Sequence, residues 1–220
     1  MKIFCVIPAY NEAKSIVKVI NQVKPLVTEV VVVDDHSQDN TLGLARSTGV
    51  TVLHHIVNRG QGAALQTGND YAIKNQADII VHFDADGQFL AEEIKDLTRP
   101  LEQNQADVVF GSRFLSKKSD MPGLKKNVIM PLAKMINKRF FHINLTDPQS
   151  GFRAMTRKVA EEIRIENDGM AHCNEILIKT HKNKYRIQEV PITVIYHEFG
   201  QKLSGGFRII KDLIYKKLIK

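Results

Sequence analysis

The sequence IIVHFDADGQ at residues 79–88 joins an apolar, β-branched run to a cluster of polar side chains. A run of this kind is typical of a buried strand that ends where the polar residues begin. Asp84 and Asp86 are two positions apart, so in a continuing strand both side chains would point to the same face. Two like charges there are unfavourable unless a cation or a hydrogen-bonding partner lies between them. Carboxylates suit Mg²⁺, which proteins hold through one or two carboxylates plus substrate phosphates. The alternative interpretation of an isolated Asp-x-Asp is a turn exposed to solvent.

Strand and helix patterns alternate on both sides of this stretch. We predict strands at about 2–8, 29–33, 51–54 and 107–111, and helices at about 13–23, 41–48, 58–75 and 91–103. This alternation predicts the α/β class, with a mostly parallel central sheet flanked by helices. Ligands of such sheets bind at the carboxyl ends of the strands. Polar clusters follow the strands, and we expect them to meet at one edge: residues 10–12, 34–35, 84–86 and 112–113.

The second half of the chain has a different pattern. Residues 113–139 interleave basic and apolar side chains, which indicates a loop and an amphipathic helix interrupted near Pro131. Further on, we predict a helix at about 170–182 and strands at about 187–196. We expect one catalytic domain at 1–204, followed at 205–220 by a basic amphipathic helix that is not a separate domain.

The composition is that of an ordinary soluble protein, with 43% hydrophobic and 25% charged residues. No apolar run approaches the roughly 18 residues of a membrane span. The first residues have too short an apolar stretch for a signal peptide and read as a strand. Cys5 and Cys173 form no disulfide framework, so reduced thiols are the default. We therefore expect a cytoplasmic protein.

The net charge of +7 is concentrated near the end of the chain. Residues 182–220 contain nine Lys and Arg against three Asp and Glu. A basic tail favours a polyanionic partner, namely nucleotide phosphates, anionic lipid or nucleic acid, although a solvated face is the alternative. Nucleic acid is disfavoured, because aromatic interleaving and a known module are absent from the sequence. The apolar stripe at 207–218 would lie on the inner face of the membrane, or pack on the domain or on a second copy in a homo-oligomer.

A set of short motifs occurs in one order along the chain: PAYNE at 8–12, VDDHSQD at 33–39, NRGQG at 58–62, DADGQ at 84–88, GSRF at 111–114 and SGFR at 150–153. In this order they resemble the family-2 glycosyltransferases, and most of all the polyprenyl-phosphate sugar transferases related to dolichol-phosphate mannose synthase. The resemblance covers roughly residues 2 to 200. It implies an A-type (GT-A) glycosyltransferase fold and inverting transfer of a hexose from a nucleoside diphosphate sugar.

The resemblance also implies roles for individual residues. Asp84, Asp86 and Gln88 would bind Mg²⁺ or Mn²⁺ bridging the diphosphate. Asp86 and Arg113 would take part in catalysis, Arg113 as a phosphate ligand. The remaining contacts to the nucleotide sugar are expected from Pro8, Tyr10, Glu12, Val33, Asp35, Gly60, Asp84, Ala85, Arg153 and Lys202.

The sequence leaves alternatives open for Gly60, Asp34 and Arg153. The Gly60 loop would bring backbone close to a phosphate at a helix N-terminus, or it is a plain turn. Asp35 would accept hydrogen bonds from the base or ribose, whereas Asp34 would do so or serve turn hydrogen bonding. Arg153 would bind a phosphate, or form an ion pair with Asp147 or another acid.

The acceptor is predicted from two features that point in different directions. Overall resemblance favours a polyprenyl phosphate, but His197 stands where relatives carry an arginine, and the lysine is displaced to Lys202. Transfer to a sugar hydroxyl of a glycan needs a general base, and Glu175 is in the matching place. A non-catalytic nucleotide-sugar-binding module is a further alternative, disfavoured by the intact metal ligands. A zinc site at His172 and Cys173 fits no standard spacing.

Overall fold

The computed structural model describes residues 1–115 and 145–195. Its strands are β1 (Ile3–Ala9), β2 (Glu29–Asp34), β3 (Thr51–His54), β4 (Ile79–His82), β5 (Val108–Ser112), β6 (Arg153–Thr156) and β7 (Ile187–Pro191). Its helices are α1 (Ile16–Val23), α2 (Thr41–Ser47), α3 (Gln61–Lys74), α4 (Ile94–Glu102), α5 (Arg157–Glu162) and α6 (His172–Lys182), with short 3-10 turns at Lys24–Leu26 and Ala91–Glu93.

In residues 1–115 and 145–195, the strands form one seven-stranded sheet in the order β3-β2-β1-β4-β6-β5-β7. The β1–β2, β1–β4, β2–β3 and β5–β7 pairs are parallel, and β6 alone runs antiparallel to its neighbours β4 and β5. This confirms the predicted α/β class with a mostly parallel sheet. The Ala9 end of β1 and the Asp34 end of β2 are paired, so the polar residues that follow them meet at one edge.

Both faces of the central strands are buried, which explains their continuous apolar sequence. Along β1, Cys5 and Ile7 pack on one face with α1 and α4, whereas Phe4 and Val6 pack on the other with α3, α5 and α6. Helix α1 buries Ile16, Val19, Ile20 and Val23, which is the spacing of a single helix face. The two layers hold the sheet edge rigid beneath the loops that follow each strand.

Several element predictions need correction. Strand β4 ends at His82, so Asp84 and Asp86 lie in a turn and not in a continuing strand. Strand β6 and helix α5 were not predicted. Helix α1 begins at Ile16 and not near residue 13, and the predicted 187–196 strand region is β7 plus an isolated bridge between Val194 and Phe89.

Some predictions lie outside the described residues. They include the amphipathic helix near Pro131, the departures at His197 and Lys202, and the basic helix at 205–220. Within the two described ranges, no helix is both long and apolar enough to cross a membrane.

Candidate active site

A pocket with a volume of about 360 Å³ opens at the carboxyl edge of the sheet. The segments that follow β1, β2 and β4 supply three of its sides, and the first turn of α3 supplies another. Residue 170, which precedes α6, completes the wall. The lining residues are Pro8, Ala9, Tyr10, Glu12, Asp35, Gln61, Ala64, Asp84, Ala85, Asp86 and Met170.

The structure brings together seven predicted residues from the end of β1 and from the segments that follow β1, β2 and β4, namely Pro8, Tyr10, Glu12, Asp35, Asp84, Ala85 and Asp86. Within the described part of the chain, sequence reasoning missed four lining residues. Gln61 belongs to the quoted 58–62 motif, and its position before a helix was the available signal. Ala9 and Ala64 are small apolar residues that carry no chemical signal, and Met170 reaches the pocket only through the tertiary fold.

Asp84 is held from two sides. Gln61 Nε2 donates a hydrogen bond to Asp84 Oδ1 at 2.9 Å. The backbone of Gly151 lies against the other oxygen, because a Cβ at residue 151 would be 2.4 Å from Asp84 Oδ2. Burial, followed by the Asp86 carboxylate, raises the pKa of Asp84 to about 7. Two neighbouring carboxylates repel each other, and a divalent cation would relieve that repulsion.

The donor set fits a cation that completes its coordination with substrate oxygens. Among the described residues, there is no group of three or more His, Cys, Asp or Glu side chains that could hold a metal. Mg²⁺ is typically bound through one or two carboxylates plus substrate phosphates, and the Asp84 and Asp86 pair fits that pattern. Gln88 contacts this turn through its backbone: its N–H donates to Asp86 Oδ1 at 3.0 Å, and its carbonyl accepts from Ile195 N at 2.8 Å.

Glu12 adds a third carboxylate to the pocket. Burial raises its pKa, and the Asp86 and Asp39 carboxylates raise it further, whereas a hydrogen bond from Ser15 opposes the shift. Ser15 Oγ donates to Glu12 Oε2 at 2.8 Å, and Glu12 N donates to Thr41 Oγ1 at 2.7 Å. The pocket is therefore acidic on the side where β1 and β4 end.

Asp35 organises the loop that leads into α3. Its Oδ1 accepts from Arg59 N at 2.9 Å and lies 2.7 Å from His55 Nδ1, and its Oδ2 accepts from Gly60 N at 2.6 Å. Asp34, in contrast, is fully buried with Oδ2 bound by Ser37 N and by His54. Turn hydrogen bonding, one of the two alternatives for Asp34, is therefore what the structure contains.

Two predicted contacts, Val33 and Gly60, are not among the pocket-lining residues. Val33 is a β2 residue whose side chain is fully buried in the core, and it does not line the pocket. Gly60 also lies outside the lining, and the predicted phosphate position at the start of α3 is filled by the chain itself. Gly62 N donates to Asp168 O at 2.7 Å, and a Cβ at Gly60 would be 2.5 Å from that same oxygen. The glycines serve close packing of protein on protein.

Asp147, suggested as a partner of Arg153, is instead the partner of Arg113. Arg113 forms the bidentate pair with buried Asp147, with Nε–Oδ2 at 2.6 Å and Nη2–Oδ1 at 2.7 Å. Arg153 is fully buried; its Nη2 donates to Cys173 Sγ at 3.1 Å and its Nε to Gly151 O at 3.4 Å. The ion-pair alternative between Arg153 and Asp147 is therefore wrong. Neither arginine is among the residues that line the pocket.

The sulfur of Cys173 lies between two basic groups. His172 Nε2 is 3.4 Å from Cys173 Sγ, and both residues lie in the first turn of α6. The same sulfur accepts the hydrogen bond from Arg153 Nη2. Burial alone would raise the pKa of this thiol, but Arg153 and His172 lower it to about 6. The cluster lies behind Asp84, whose pKa it affects in both directions.

Glu175 is not among the pocket-lining residues. Both of its oxygens accept hydrogen bonds from residues 166–167, and Lys179 Nζ lies 2.7 Å from Oε1. Burial would raise its pKa, but the hydrogen bonds from Lys179 and Asn167 hold it below the ordinary range. The predicted general base is thus an ionised carboxylate with its acceptor positions engaged by protein.

A mostly parallel sheet with paired carboxylates in the turn after a central strand, beside a pocket at the carboxyl edge, defines an A-type glycosyltransferase. The chain belongs to glycosyl transferase family 2, whose family model matches residues 4–164.

Two relatives show how far the similarity extends. The chain is 32% identical over 248 residues to the UDP-N-acetylglucosamine–dolichyl-phosphate N-acetylglucosaminyltransferase of Methanococcus voltae, covering 99% of this chain and 97% of that protein. It is 32% identical over 219 residues to the undecaprenyl-phosphate mannosyltransferase of Micrococcus luteus, covering 94% and 89%. The predicted resemblance and the prediction of a glycosyltransferase are confirmed.

A solved structure confirms the fold. Glucosyl-3-phosphoglycerate synthase from Mycobacterium tuberculosis, crystallised with Mn²⁺, uridine-diphosphate-glucose and phosphoglyceric acid, superposes with a TM-score of 0.75 at 22% identity. The match covers 95% of this chain and 77% of that chain. At this identity the similarity concerns the A-type fold alone.

Proposed function

We propose that the protein is a metal-dependent, inverting glycosyltransferase that moves a hexose from a nucleoside diphosphate sugar to a polyprenyl phosphate. The observation that carries the proposal is the acidic pocket with Asp84 and Asp86 at the end of β4. Asp84 and Asp86 would hold Mg²⁺ or Mn²⁺, which supplies positive charge against the leaving nucleoside diphosphate. The metal-bound neighbour from Mycobacterium tuberculosis supports this use of the fold.

The nucleoside would lie on the β1–β2 side of the pocket. Tyr10 is 47% exposed at this edge, so its ring is available for stacking on a base. An ionised carboxylate has about four acceptor positions. Three contacts to the Asp35 carboxylate come from the backbone N–H groups of Arg59 and Gly60 and from the ring of His55. One acceptor position of Asp35 therefore remains for a donor group on the ribose or base.

A phosphate acceptor suits the pocket better than a hydroxyl acceptor. A phosphate is already a nucleophile, whereas a sugar hydroxyl needs a general base to take its proton. Glu175, the proposed base for a glycan acceptor, is engaged with residues 166–167 and Lys179, and it does not line the pocket. The names of the archaeal and bacterial relatives, which act on dolichyl or undecaprenyl phosphate, support the same choice.

Arg113 remains a proposed phosphate ligand. It follows β5 at the same edge of the sheet, and its bidentate pair with Asp147 fixes the direction of the guanidinium. An acceptor with a polyprenyl chain would bring the enzyme to a membrane surface. We therefore retain peripheral association through the basic 205–220 segment as part of the proposal.

The test is a substitution of Asp86 combined with direct nucleotide binding. We expect Asp86→Ala to remove the Mn²⁺-dependent part of nucleoside diphosphate binding in calorimetry and to leave the unfolding temperature close to that of the wild type. Asp96→Ala is the matched control, because Asp96 is about half exposed, pairs with Arg99 on α4 and does not line the pocket. An Asp86→Ala protein that still responds normally to Mn²⁺ would refute the metal assignment.

Transfer itself is measured with a panel of nucleoside diphosphate hexoses and a short polyprenyl phosphate. Formation of a glycosyl phospholipid that depends on Mg²⁺ or Mn²⁺ is the expected result. If no donor yields this product while a glycan hydroxyl is glycosylated, the acceptor assignment is wrong.

A further inference from the structure

A connection between α5 and α6, residues 163–171, crosses the outer side of α3, and we call it the strap. Its first half is tied to the middle of α3: the Arg164 guanidinium forms two 3.1 Å hydrogen bonds to Asp70, and Ile165 N donates to Gln66 Oε1 at 2.7 Å. Its second half meets the start of the helix, where the Asp168 carbonyl accepts from Gly62 N. The strap therefore runs along α3 toward the pocket.

Glu175 and Lys179 hold the strap from the opposite side. Glu175 Oε1 accepts from Glu166 N at 3.0 Å, and Oε2 accepts from the backbone and side-chain nitrogens of Asn167 at 2.8 and 2.7 Å. Lys179 Nζ lies 2.7 Å from Glu175 Oε1 and donates to the Arg164 carbonyl at 2.6 Å. One turn of α6 thus fixes the strap backbone at three positions, residues 164, 166 and 167.

The strap backbone packs directly against the backbone at the start of α3. A Cβ at Gly62 would lie 2.0 Å from the Asn167 carbonyl oxygen, and one at Gly60 would lie 2.5 Å from that of Asp168. Such distances require backbone contact between the two segments. A shift of the strap therefore moves, or releases, the first turn of α3.

That first turn and the end of the strap are both part of the pocket. Gln61, next to Gly62, lines the pocket and donates its 2.9 Å hydrogen bond to Asp84. Met170, the strap residue before Ala171, forms another part of the wall. A continuous set of contacts therefore leads from Glu175 through the strap to Gln61 and Asp84.

We propose that Glu175 is a positioning residue for donor binding: with Lys179 it clamps the strap, and through the strap it fixes Gln61 and Met170 in the pocket. The proposal rests on the proposed transferase function for its kinetic consequences. It assigns no proton transfer to Glu175. A general base needs an acceptor position facing the substrate, and the Glu175 oxygens face the Glu166 and Asn167 nitrogens and Lys179.

The first test is Glu175→Gln. The amide keeps the size of the side chain, but its NH₂ group faces nitrogen donors, so the clamp is weakened. We expect the KM for the sugar donor and the Kd for the nucleoside diphosphate to rise about tenfold, with kcat at saturating donor within about threefold of wild type. A base would instead lose kcat by about 10²–10⁴-fold with donor affinity unchanged, and it would lose the acidic limb of the pH–rate profile.

The second test is limited proteolysis, which measures how accessible the strap is to a protease. Trypsin cleaves after arginine, and Arg164 lies in the strap with its carbonyl held by Lys179. We expect Glu175→Gln to accelerate cleavage after Arg164 at least fivefold under native conditions, quantified by mass spectrometry. This measurement and the nucleotide titration need no acceptor, so they remain decisive even if the proposed transfer reaction is not found.

Lys179→Met and Glu161→Gln complete the design. Lys179→Met removes the other half of the clamp and leaves the Glu175 carboxylate in place, so it should raise the donor Kd and the cleavage rate in the same direction. It also covers the case in which Glu175→Gln does not fold. Glu161→Gln is the matched control, because it breaks an exposed pair with Arg157 on α5 and should change neither quantity. Wild-type cleavage and donor affinity in Lys179→Met, or a pure kcat loss in Glu175→Gln, would overturn the proposal.

Discussion

Gly151→Ala is the substitution that most directly tests how the pocket is built. Strand β6 pairs antiparallel with β4, with Arg153 opposite His82, and continuing this register places Gly151 opposite Asp84. A Cβ at residue 151 would lie 2.4 Å from Asp84 Oδ2 and 3.0 Å from its Cγ. The obstacle is the end of a side chain and not backbone, so the carboxylate moves while the strands stay paired.

The size of the effect follows from that distance. Ordinary contacts of a Cβ begin near 3.4 Å, so a carboxylate oxygen at 2.4 Å must retreat by about 1 Å. A misplacement of about 1 Å in a catalytic group can reduce the rate about 10²-fold, equivalent to about 2.7 kcal/mol of transition-state stabilisation. The backbone contribution acts in the other direction, since Gly→Ala at a permissive position stabilises by about 0.4–1 kcal/mol. We therefore expect a folded protein with impaired Mn²⁺-dependent nucleotide binding and turnover.

The assay combines thermal unfolding with calorimetric titration of a nucleoside diphosphate, with and without Mn²⁺. Gly169→Ala is the matched control, because a Cβ at residue 169 meets nothing within 4 Å. It should bind nucleotide as the wild type does. If Gly151→Ala binds nucleotide and metal as tightly as Gly169→Ala, then the Asp84 carboxylate does not need its observed position, and the reasoning fails.

Two further predictions concern stability. Gly68→Ala places a Cβ 2.1 Å from Val6 Cγ1, so helix α3 must move away from β1, and we expect about 1–3 kcal/mol of destabilisation in denaturant unfolding, with Gly169→Ala unchanged. The second prediction concerns pH, because hydrogen bonds lower the pKa of Glu175 from its ordinary 4.5. The ionised Glu175 carboxylate therefore stabilises the folded protein fully above about pH 4.5, and this stabilisation is lost as the pH falls through the folded-state pKa. The difference in free energy of unfolding between wild type and Glu175→Gln should narrow from pH 7 to pH 3; a constant difference would contradict this assignment.

The parts of the fold that the sequence predicts are those in which local pattern and burial agree. Strands β1, β2 and β4 are buried on both faces, and each contains a continuous apolar run. Their polar successors meet at one edge because parallel strands end together, which is why Tyr10, Asp35 and Asp86 could be placed in one site from spacing alone.

Strand β6 could not be predicted, because its sequence carries no strand signal. It consists of Arg-Ala-Met-Thr at 153–156 and begins with a charged residue. Its place in the sheet comes from pairing with β4 on one side and β5 on the other. Only the tertiary arrangement shows that this arginine is a core residue.

The role of the glycine-rich loop before α3 could not be predicted from the sequence for a different reason. A glycine-rich turn at a helix N-terminus serves either close approach to a phosphate or close approach to another segment, and the local sequence is the same in both cases. Here the second segment is the strap, which is about a hundred positions away in the chain, at Asn167 and Asp168. The distinction is therefore made by a long-range contact that no local pattern contains.

Strand β6, which the sequence did not predict, and the residues just before it determine what surrounds Asp84. Through β6, Gly151 sets the space available to Asp84, and Arg153 brings a fully buried guanidinium behind it. A buried cation needs compensating charge or hydrogen bonds, and among the described residues its nearest recorded acceptors are Cys173 Sγ and the Gly151 carbonyl. The two aspartates, equivalent in the motif, consequently occupy different environments: Asp84 is packed between Gln61 and Gly151, whereas Asp86 receives a backbone hydrogen bond in its own turn. The motif supplies the ligands, but a strand from the far half of the chain determines how one of them is held.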